Sequence, residues 1–311
     1  MIVYRTMQAL ETDLGFSART LYSAANTIDS HYHEVRIPKK DGSDRILHVP
    51  DEFLKRIQRR INDVLLAGMP VSRYATAYNP GNSIMQNAQP HAGKNKLLKL
   101  DIRDFFDHIT YPLVKERVFP GHIYSESNRI LLSVLCVYHD TIPQGAPTSD
   151  AISNIVLYEF DRSVGRYCRE NGIAYTRYCD DMSFSGEFDP QKIIAVVSDE
   201  LRKEGFFLNR KKTVISRPGQ KMRVTGLSVN EFVNVPPEYR RKIRQEMHFI
   251  RKYGVSSHLE HAGIQMSEEE YLNSLQGRIG YVLSVREIGE FRGYLEQICR
   301  LKEKQMIQSA V

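Results

Sequence analysis

The chain has 311 residues, 41% hydrophobic and 26% charged, an ordinary globular composition whose length predicts two or three packed units against a usual domain size of about 150 residues. Lys and Arg number 43 against 37 Asp and Glu, a formal charge of +6 that favours an anionic partner. The longest apolar run, Ile130 to Tyr138, is about half of the ~20 residues a bilayer crossing needs, and the amino-terminal stretch carries Glu11 and Asp13 where a leader would be apolar; both features predict a cytoplasmic chain with no membrane partner.

In chain order, residues 1–34 read as a helical lead-in, and VRIPKKDGSDRILHVP (35–50) reads as two short strands around an Asp41-Gly42 turn, a basic hairpin. Asp51 is placed to cap a helix whose apolar stripe runs through Leu54, Ile57 and Ile61, with Lys55, Arg56, Arg59 and Arg60 opposite. After a Pro/Gly-rich passage over 78–93, the run Leu97-Leu98-Lys99-Leu100 stops at Asp101, which predicts a buried strand with Asp101 at its end. Residues 151–170 carry a helical stripe through Ile152, Ile155, Val156, Phe160 and Val164, with Thr148, Ser149 or Asp150 as caps. Ala174–Cys179 and Met182–Ser185 read as strands separated by Asp180-Asp181, and from Pro236 the pattern is helical to the end. The four cysteines form no CxxC pair, so neither a zinc knuckle nor a disulfide framework is expected.

Two carboxylate clusters carry the chemistry. A hairpin tip with two uncompensated carboxylates is costly without a cation, and hard oxygen ligands favour Mg²⁺, with Mn²⁺ as the alternative. Taken alone, Asp-Asp is also simply good turn material. If the Asp101 strand lies beside the Asp180 hairpin, however, carboxylates converge on a pair of metals suited to in-line nucleotidyl transfer. Asp104 and Asp107 follow Asp101 closely and read equally well as first-turn acids of the next helix.

At these residues the motif order resembles the fingers and palm of a reverse transcriptase. The matching pieces are LLKLDIRDFFDHI (97–109), PQGAPTSDAISNIV (143–156), YTRYCDDMSFSG (175–186), EGFFLNRKKTVIS (204–216) and VTGLSVN (224–230). Within that family the chain resembles bacterial retron enzymes, through the NAxxH element at Asn87 to His91, the VTG element at 224–226, and the lack of maturase, endonuclease or RNase H extensions. Cys179 departs from the pattern, since Ala is the commoner residue before the paired Asp.

The resemblance implies an α+β right-hand polymerase: a lead-in over 1–34, fingers and palm over 35–235 with a central antiparallel sheet backed by helices, and a helical RNA-binding thumb over 236–311. It implies catalytic carboxylates at Asp101, Asp180 and Asp181, and two Mg²⁺ ions held by these and Ile102. It also implies a nucleotide site of Arg45, Asp104, Phe105, Phe106, Gln144, Gly145 and Lys212, with Lys39 and Lys40 as further phosphate clamps and bulky Phe106 selecting dNTPs. Asn87 and His91 would contact RNA or support its site. Residues 202–223 hold eight basic residues against the single acid Glu204, a phosphate footprint in which Arg210 and Lys211 join Arg240, Arg241, Arg244, Arg251 and Lys252 as RNA-binding candidates. The implied activity is copying a dedicated non-coding RNA into single-stranded DNA from the 2′-hydroxyl of an internal guanosine, giving a branched RNA–DNA product (msDNA). The implied partners are that RNA, its msDNA product, dNTPs, a separate effector protein in phage defence, and host RNase H. The alternatives are a group II intron-like or general reverse transcriptase, and a non-catalytic RNA-binding scaffold.

Overall fold

The computed structural model describes residues 3–38, 42, 44–78 and 81–309, with side chains to 303. Lys39, Lys40 and Asp41 of the expected hairpin turn lie outside the described residues. The chain divides into two units by packing: residues 1–83 with 96–215, and residues 84–95 with 216–311.

In the first unit, helices Met7–Leu14 and Ala18–Asn26 form the lead-in, each closed at its start by a hydroxyl, Thr6 or Ser17, that accepts a backbone N–H. The basic hairpin is β1 (Tyr32–Pro38) against β2 (Asp44–Pro50), antiparallel, with Arg45 opposite Ile37. Asp51 accepts from the Leu54 N–H at 2.8 Å and starts the helix Glu52–Ile61, which buries Leu54, Ile57 and Ile61.

The central sheet has the order β4-β5-β3-β6, where β3 is Leu97–Asp101, β4 Ala174–Tyr178, β5 Asp181–Ser185 and β6 Val214–Ser216. Strand β5 pairs antiparallel with both β3 and β4. Val164 and Cys168 of one helix, and Ile193, Val197 and Leu201 of another, share the core with Leu98, Leu100, Met182 and Phe184 of the sheet.

Two expectations shift. The carboxylate hairpin turns at Cys179-Asp180, one residue early, because Cys179 takes a left-handed conformation (φ 58°); Asp181 is therefore the first residue of β5, opposite Tyr178 and Asp101. The single helix expected over 151–170 is two, Ser149–Val156 and Tyr158–Glu170, broken where Leu157 leaves helical geometry (ψ 10°). Side chains from both pieces, Asn154 and Asp161, reach the same buried arginine.

The second unit is mainly helical, with Pro237–Tyr253, Val255–Ala262, Glu268–Val285 and Gly289–Ser309 in sequence. Its buried polar anchor is Glu246, which accepts from both Arg278 Nη atoms (2.9 and 2.5 Å) and from the Tyr271 hydroxyl (3.1 Å). Ser267 opens the third of these helices with a capping box to Glu270. The short segment 84–95 packs here beside a hairpin, Arg223–Val224 with Leu227–Ser228, so the NAxxH and VTG elements are neighbours.

Candidate catalytic centre

The register of β3 against β5 puts Asp101 directly opposite Asp181, and the two-residue turn sets Asp180 beside them. The Asp180 carbonyl accepts from the Ile102 N–H at 3.1 Å, and the Asp101 carbonyl from Asn209 at 2.7 Å, tying three motifs that lie far apart in sequence. Asp101 is 4% exposed. Its Oδ2 accepts from Lys212 Nζ at 2.8 Å, while its Oδ1 is buried with no partner. Asp181 Oδ2 lies 3.7 Å from Lys99 Nζ. Burial first, then the charge of Asp101 and to a lesser degree of Asp181, raise the Asp180 carboxyl above the usual carboxylate range; a backbone hydrogen bond and Lys212 oppose the shift. The Lys212 ammonium is raised in turn by its hydrogen bond to Asp101.

Such a site is short of positive charge. Among the described residues no three His, Cys, Asp or Glu side chains form a ready ligand set, and lysines stand against Asp101 and Asp181. The donors nonetheless fit a hard divalent cation: all are carboxylate oxygens, one is buried and unsatisfied, and a third carboxylate is held against its own charge.

The carboxylates open onto a cavity of about 930 Å³. Arg45, Ile102, Asp104, Phe105, Phe106, Gln144, Gly145 and Lys212 all line it, together with Asp101, Asp180 and Asp181, so every described metal and nucleotide candidate falls on one concave surface. Asp104 has φ 46°, turning the chain between the exposed Asp104 side chain and the buried Phe105. Gly145 has φ 117°, and a Cβ there would stand 3.3 Å from the His48 carbonyl of β2, so the motif needs glycine for a close backbone approach. Tyr78, His48, His139 and Asp150 also line the cavity. Burial raises Asp150 to about 6.

Beneath the turn lies a network that the motif reading missed. Arg177, fully buried in β4, donates to Asp161 through Nε (2.9 Å) and Nη2 (2.7 Å), and through Nη1 to the Cys179 carbonyl (2.9 Å) and Asn154 Oδ1 (3.3 Å). The Tyr175 hydroxyl donates to the same Asp161 at 2.7 Å. Burial works against the guanidinium's charge, and Asp161 more than offsets it, leaving Arg177 above its ordinary pKa. The available signal was charge within apolar pattern: Arg177 stands inside a β-prone run, and Asp161 interrupts the apolar stripe of its helix between Phe160 and Val164.

The RNA-binding candidates are placed differently. Arg210 and Lys211 are exposed on the turn that carries Lys212, outside the cavity lining. Asn87 and His91 are 2% and 1% exposed, inside the second unit. There Asn87 Nδ2 donates to Thr225 Oγ1 at 3.4 Å, a packing role for this element. On the helix Pro237–Tyr253, Arg244 is held by Glu290 and Arg251 by Gln297, Arg240 donates to the Val235 carbonyl, and Arg241 and Lys252 are exposed.

A carboxylate cluster at a sheet end, open to a cavity that also presents Arg45 and Lys212, defines a nucleotidyl-transfer class of site. The family model described as reverse transcriptase (RNA-dependent DNA polymerase) matches residues 37–230. The retron Mx65 reverse transcriptase of Myxococcus xanthus is 34% identical over 298 residues, covering 88% of this chain and 70% of that one. The retron Ec86 reverse transcriptase of Escherichia coli is 30% identical over 297 residues, covering 93% and 87%. Among solved structures, apo telomerase from Candida tropicalis aligns with 91% of this chain and 63% of that one, at 13% identity and a TM-score of 0.49.

The chain belongs to the reverse transcriptase family, in its retron branch. It is an RNA-directed DNA polymerase of α+β right-hand polymerase fold, with an RNA template as partner and the divalent-metal dependence of its family. No helix among the described residues is long and apolar enough to cross a membrane.

Proposed function

We propose that this enzyme copies one structured non-coding RNA into msDNA, starting from the 2′-hydroxyl of an internal guanosine, by two-metal nucleotidyl transfer in the cytoplasm. Residues 35–235 act as fingers and palm and 236–311 as thumb. The observation that carries the reading is the convergence of Asp101, Asp180 and Asp181 at the mouth of the 930 Å³ cavity, with Asp101 Oδ1 buried and unsatisfied.

Asp101, Asp180 and Asp181, with Ile102 beside them, would hold two Mg²⁺ ions. When bound, these lower the pKa of the attacking hydroxyl and neutralise charge on the leaving pyrophosphate. The protein's own groups bind and orient. Lys212, which lines the cavity and donates to Asp101 here, would supply its ammonium to the triphosphate. Arg45 clamps the β- and γ-phosphates from the hairpin. The Asp104–Phe105 turn cradles the triphosphate, Phe106 closes the space a ribose 2′-hydroxyl would fill, and Gln144 and Gly145 line the base and sugar side. Arg210, Lys211 and the basic residues of 240–252 hold RNA by charge and shape, while Asn87 and His91 support the second unit from within. A separate effector, host RNase H acting on copied template, and a role in phage defence complete the reading.

Expression of the gene with its flanking non-coding DNA tests it, with total nucleic acid run on a denaturing gel before and after RNase and debranching enzyme. A short discrete DNA that shifts on debranching is the expected result. Extension of an annealed RNA template and primer without any such DNA would keep the polymerase and remove the branched product.

A further inference from the structure

A second concave surface in the first unit shares no lining residue with the catalytic cavity. It is a groove of about 420 Å³ between the segment Val71–Tyr74 and the helix Tyr158–Glu170, and its rim is Arg73, Arg162, Arg166 and Arg169. The three helical arginines fall at i, i+4 and i+7, one face of the helix over about 10 Å at 1.5 Å per residue. Like charges at that spacing repel and weaken a helix. Compensation is sparse: Arg162 has the exposed Glu159 at 3.2 Å, Asp161 is buried and committed to Arg177, Glu170 is the remaining acid of the helix, and among the described residues neither Arg166 nor Arg169 has an acidic partner.

The groove is built. A Cβ on Gly165 would stand 2.0 Å from Tyr74 Cε2, so the absence of a side chain lets the Tyr74 ring lie against the helix, where its hydroxyl donates to the Gly165 carbonyl at 3.1 Å. Arg73 sits over that ring, 4.9 Å from its centroid, and donates to the Tyr74 hydroxyl at 2.8 Å. The segment is pinned from the other side as well, since the Tyr74 carbonyl accepts from the Arg177 N–H at 2.7 Å. Arg73 is thereby fixed across the groove from the helical arginines.

We propose that this groove binds the phosphate backbone of structured RNA. Guanidinium forks match phosphate oxygens in pairs, and the lining presents four arginines, Arg73, Arg162, Arg166 and Arg169, with no acidic side chain among them. Binding by charge and shape without base reading suits a folded RNA. The proposal rests on the enzyme's RNA-directed reading for the source of that RNA, and adds a contact surface away from the chemistry.

The test uses the full chain and a fluorescein-labelled RNA hairpin of about 16 base pairs, with affinity measured against salt. The triple variant R162Q/R166Q/R169Q should flatten the slope of log K against log[salt] by about 2 to 3 units and weaken binding at least tenfold, with extension of a short annealed primer-template unchanged. A control of equal charge loss, R19Q/R56Q/K192Q, should change the slope far less. Gly165→Ala removes no charge and displaces Tyr74 and Arg73, so it should also weaken binding. An unaltered slope in the triple variant, or an equal loss in the control, would overturn the groove while normal wild-type extension leaves the polymerase standing. Loss of polyglutamate binding with RNA binding intact would overturn it in favour of an acidic polypeptide site. A wild-type chain that neither binds the hairpin nor extends a primer would sink both readings.

Discussion

Two tight hairpins, one in each unit, close through a non-glycine residue held in the left-handed region: Cys179 at φ 58° and Thr225 at φ 45°. Each conformation costs about 1–2 kcal/mol in an ordinary residue, yet the anchors differ. Under Cys179 a fully buried, charged network grips the turn's carbonyl at 2.9 Å. At Thr225 the hydroxyl meets Asn87 Nδ2 and the Ile84 carbonyl at 3.4 Å each, neutral and long. Anchoring is strong where position matters to the chemistry. The first turn has to hold Asp180 against the charge of Asp101, so its backbone is clamped from below; the second has only to join two strands.

The heaviest loss should follow removal of the clamped turn's charge. Asp180→Asn with Asp181→Asn is expected to lower DNA synthesis by about a thousandfold or more, over ~4 kcal/mol in the barrier, and chelation of divalent cations should do the same to the wild type. RNA affinity should stay within about threefold, a difference under ~1 kcal/mol, because the basic surfaces are untouched. Primer extension and filter binding on one preparation check both halves, and full activity in the double variant would discard the metal assignment.

Next comes the clamp. Arg177→Met or Asp161→Asn leaves a buried charge unpaired and should cost about 3–5 kcal/mol in urea unfolding. Replacing both, Asp161→Leu with Arg177→Met, should recover most of that stability while leaving the Cys179 carbonyl without its donor. Synthesis by the double variant should then remain depressed by about tenfold or more, around 1.4 kcal/mol in the barrier. Recovery of both stability and rate would reduce the network to core filling and erase the contrast between the two hairpins.

The units should also part company in acid. His91 is buried in the second unit, and that burial, with the charge of Lys94, holds it neutral down to about 4. An unfolded His takes its proton near ~6.5, so the stability from keeping His91 neutral is whole above about pH 6.5 and is lost as pH falls toward 4. The loss reaches about 2 kcal/mol by about pH 5. Asp150 in the first unit runs the other way: raised to about 6 by burial, it carries a cost above pH 6 that disappears as pH falls toward the ordinary carboxylate value. Urea titrations from about pH 7.5 to about pH 4 should show a shallower acid loss in His91→Gln and a steeper one in Asp150→Asn, which should also be the more stable chain at the upper end of that range.

Much of the catalytic surface was legible in the sequence because its residues sit in contiguous motifs at strand ends. A run such as LLKLD states both burial and where burial stops, and two of these placed side by side already bring Asp101 to Asp181. The one-residue shift of the turn was not legible. It depends on Cys179 accepting a positive φ, which no propensity favours and which the Arg177 contact to its carbonyl supports. The helix break at Leu157 escaped for a similar reason, since the apolar stripe runs on through it while Asn154 and Asp161 serve a guanidinium on another element. The choice between RNA contact and packing support for Asn87 and His91 was left open in the sequence too, because polar residues in a Pro/Gly-rich passage do not state their burial until the hairpin beside them is known. Local pattern tells which face is apolar; it does not tell which polar side chains are spent on holding another segment still.

The mildest substitutions probe the two hairpins most directly. Glycine adopts the left-handed region without strain, but it loses more chain entropy on folding and deletes the buried Cys179 thiol or the Thr225 hydroxyl contacts, so Cys179→Gly and Thr225→Gly should each shift stability by only about 1 kcal/mol. If both turns were merely strained connections, the two variants would behave alike. Instead the clamped turn should show a second effect: in Cys179→Gly the backbone gains freedom at the residue next to Asp180, and synthesis should fall severalfold, with KM for dNTP rising as the carboxylate samples more positions. Thr225→Gly should leave both constants where they are. Equal kinetics in the two variants, at equal shifts in urea midpoint, would mean that the Arg177 contact fixes Asp180 and that the strain at Cys179 contributes nothing to catalysis.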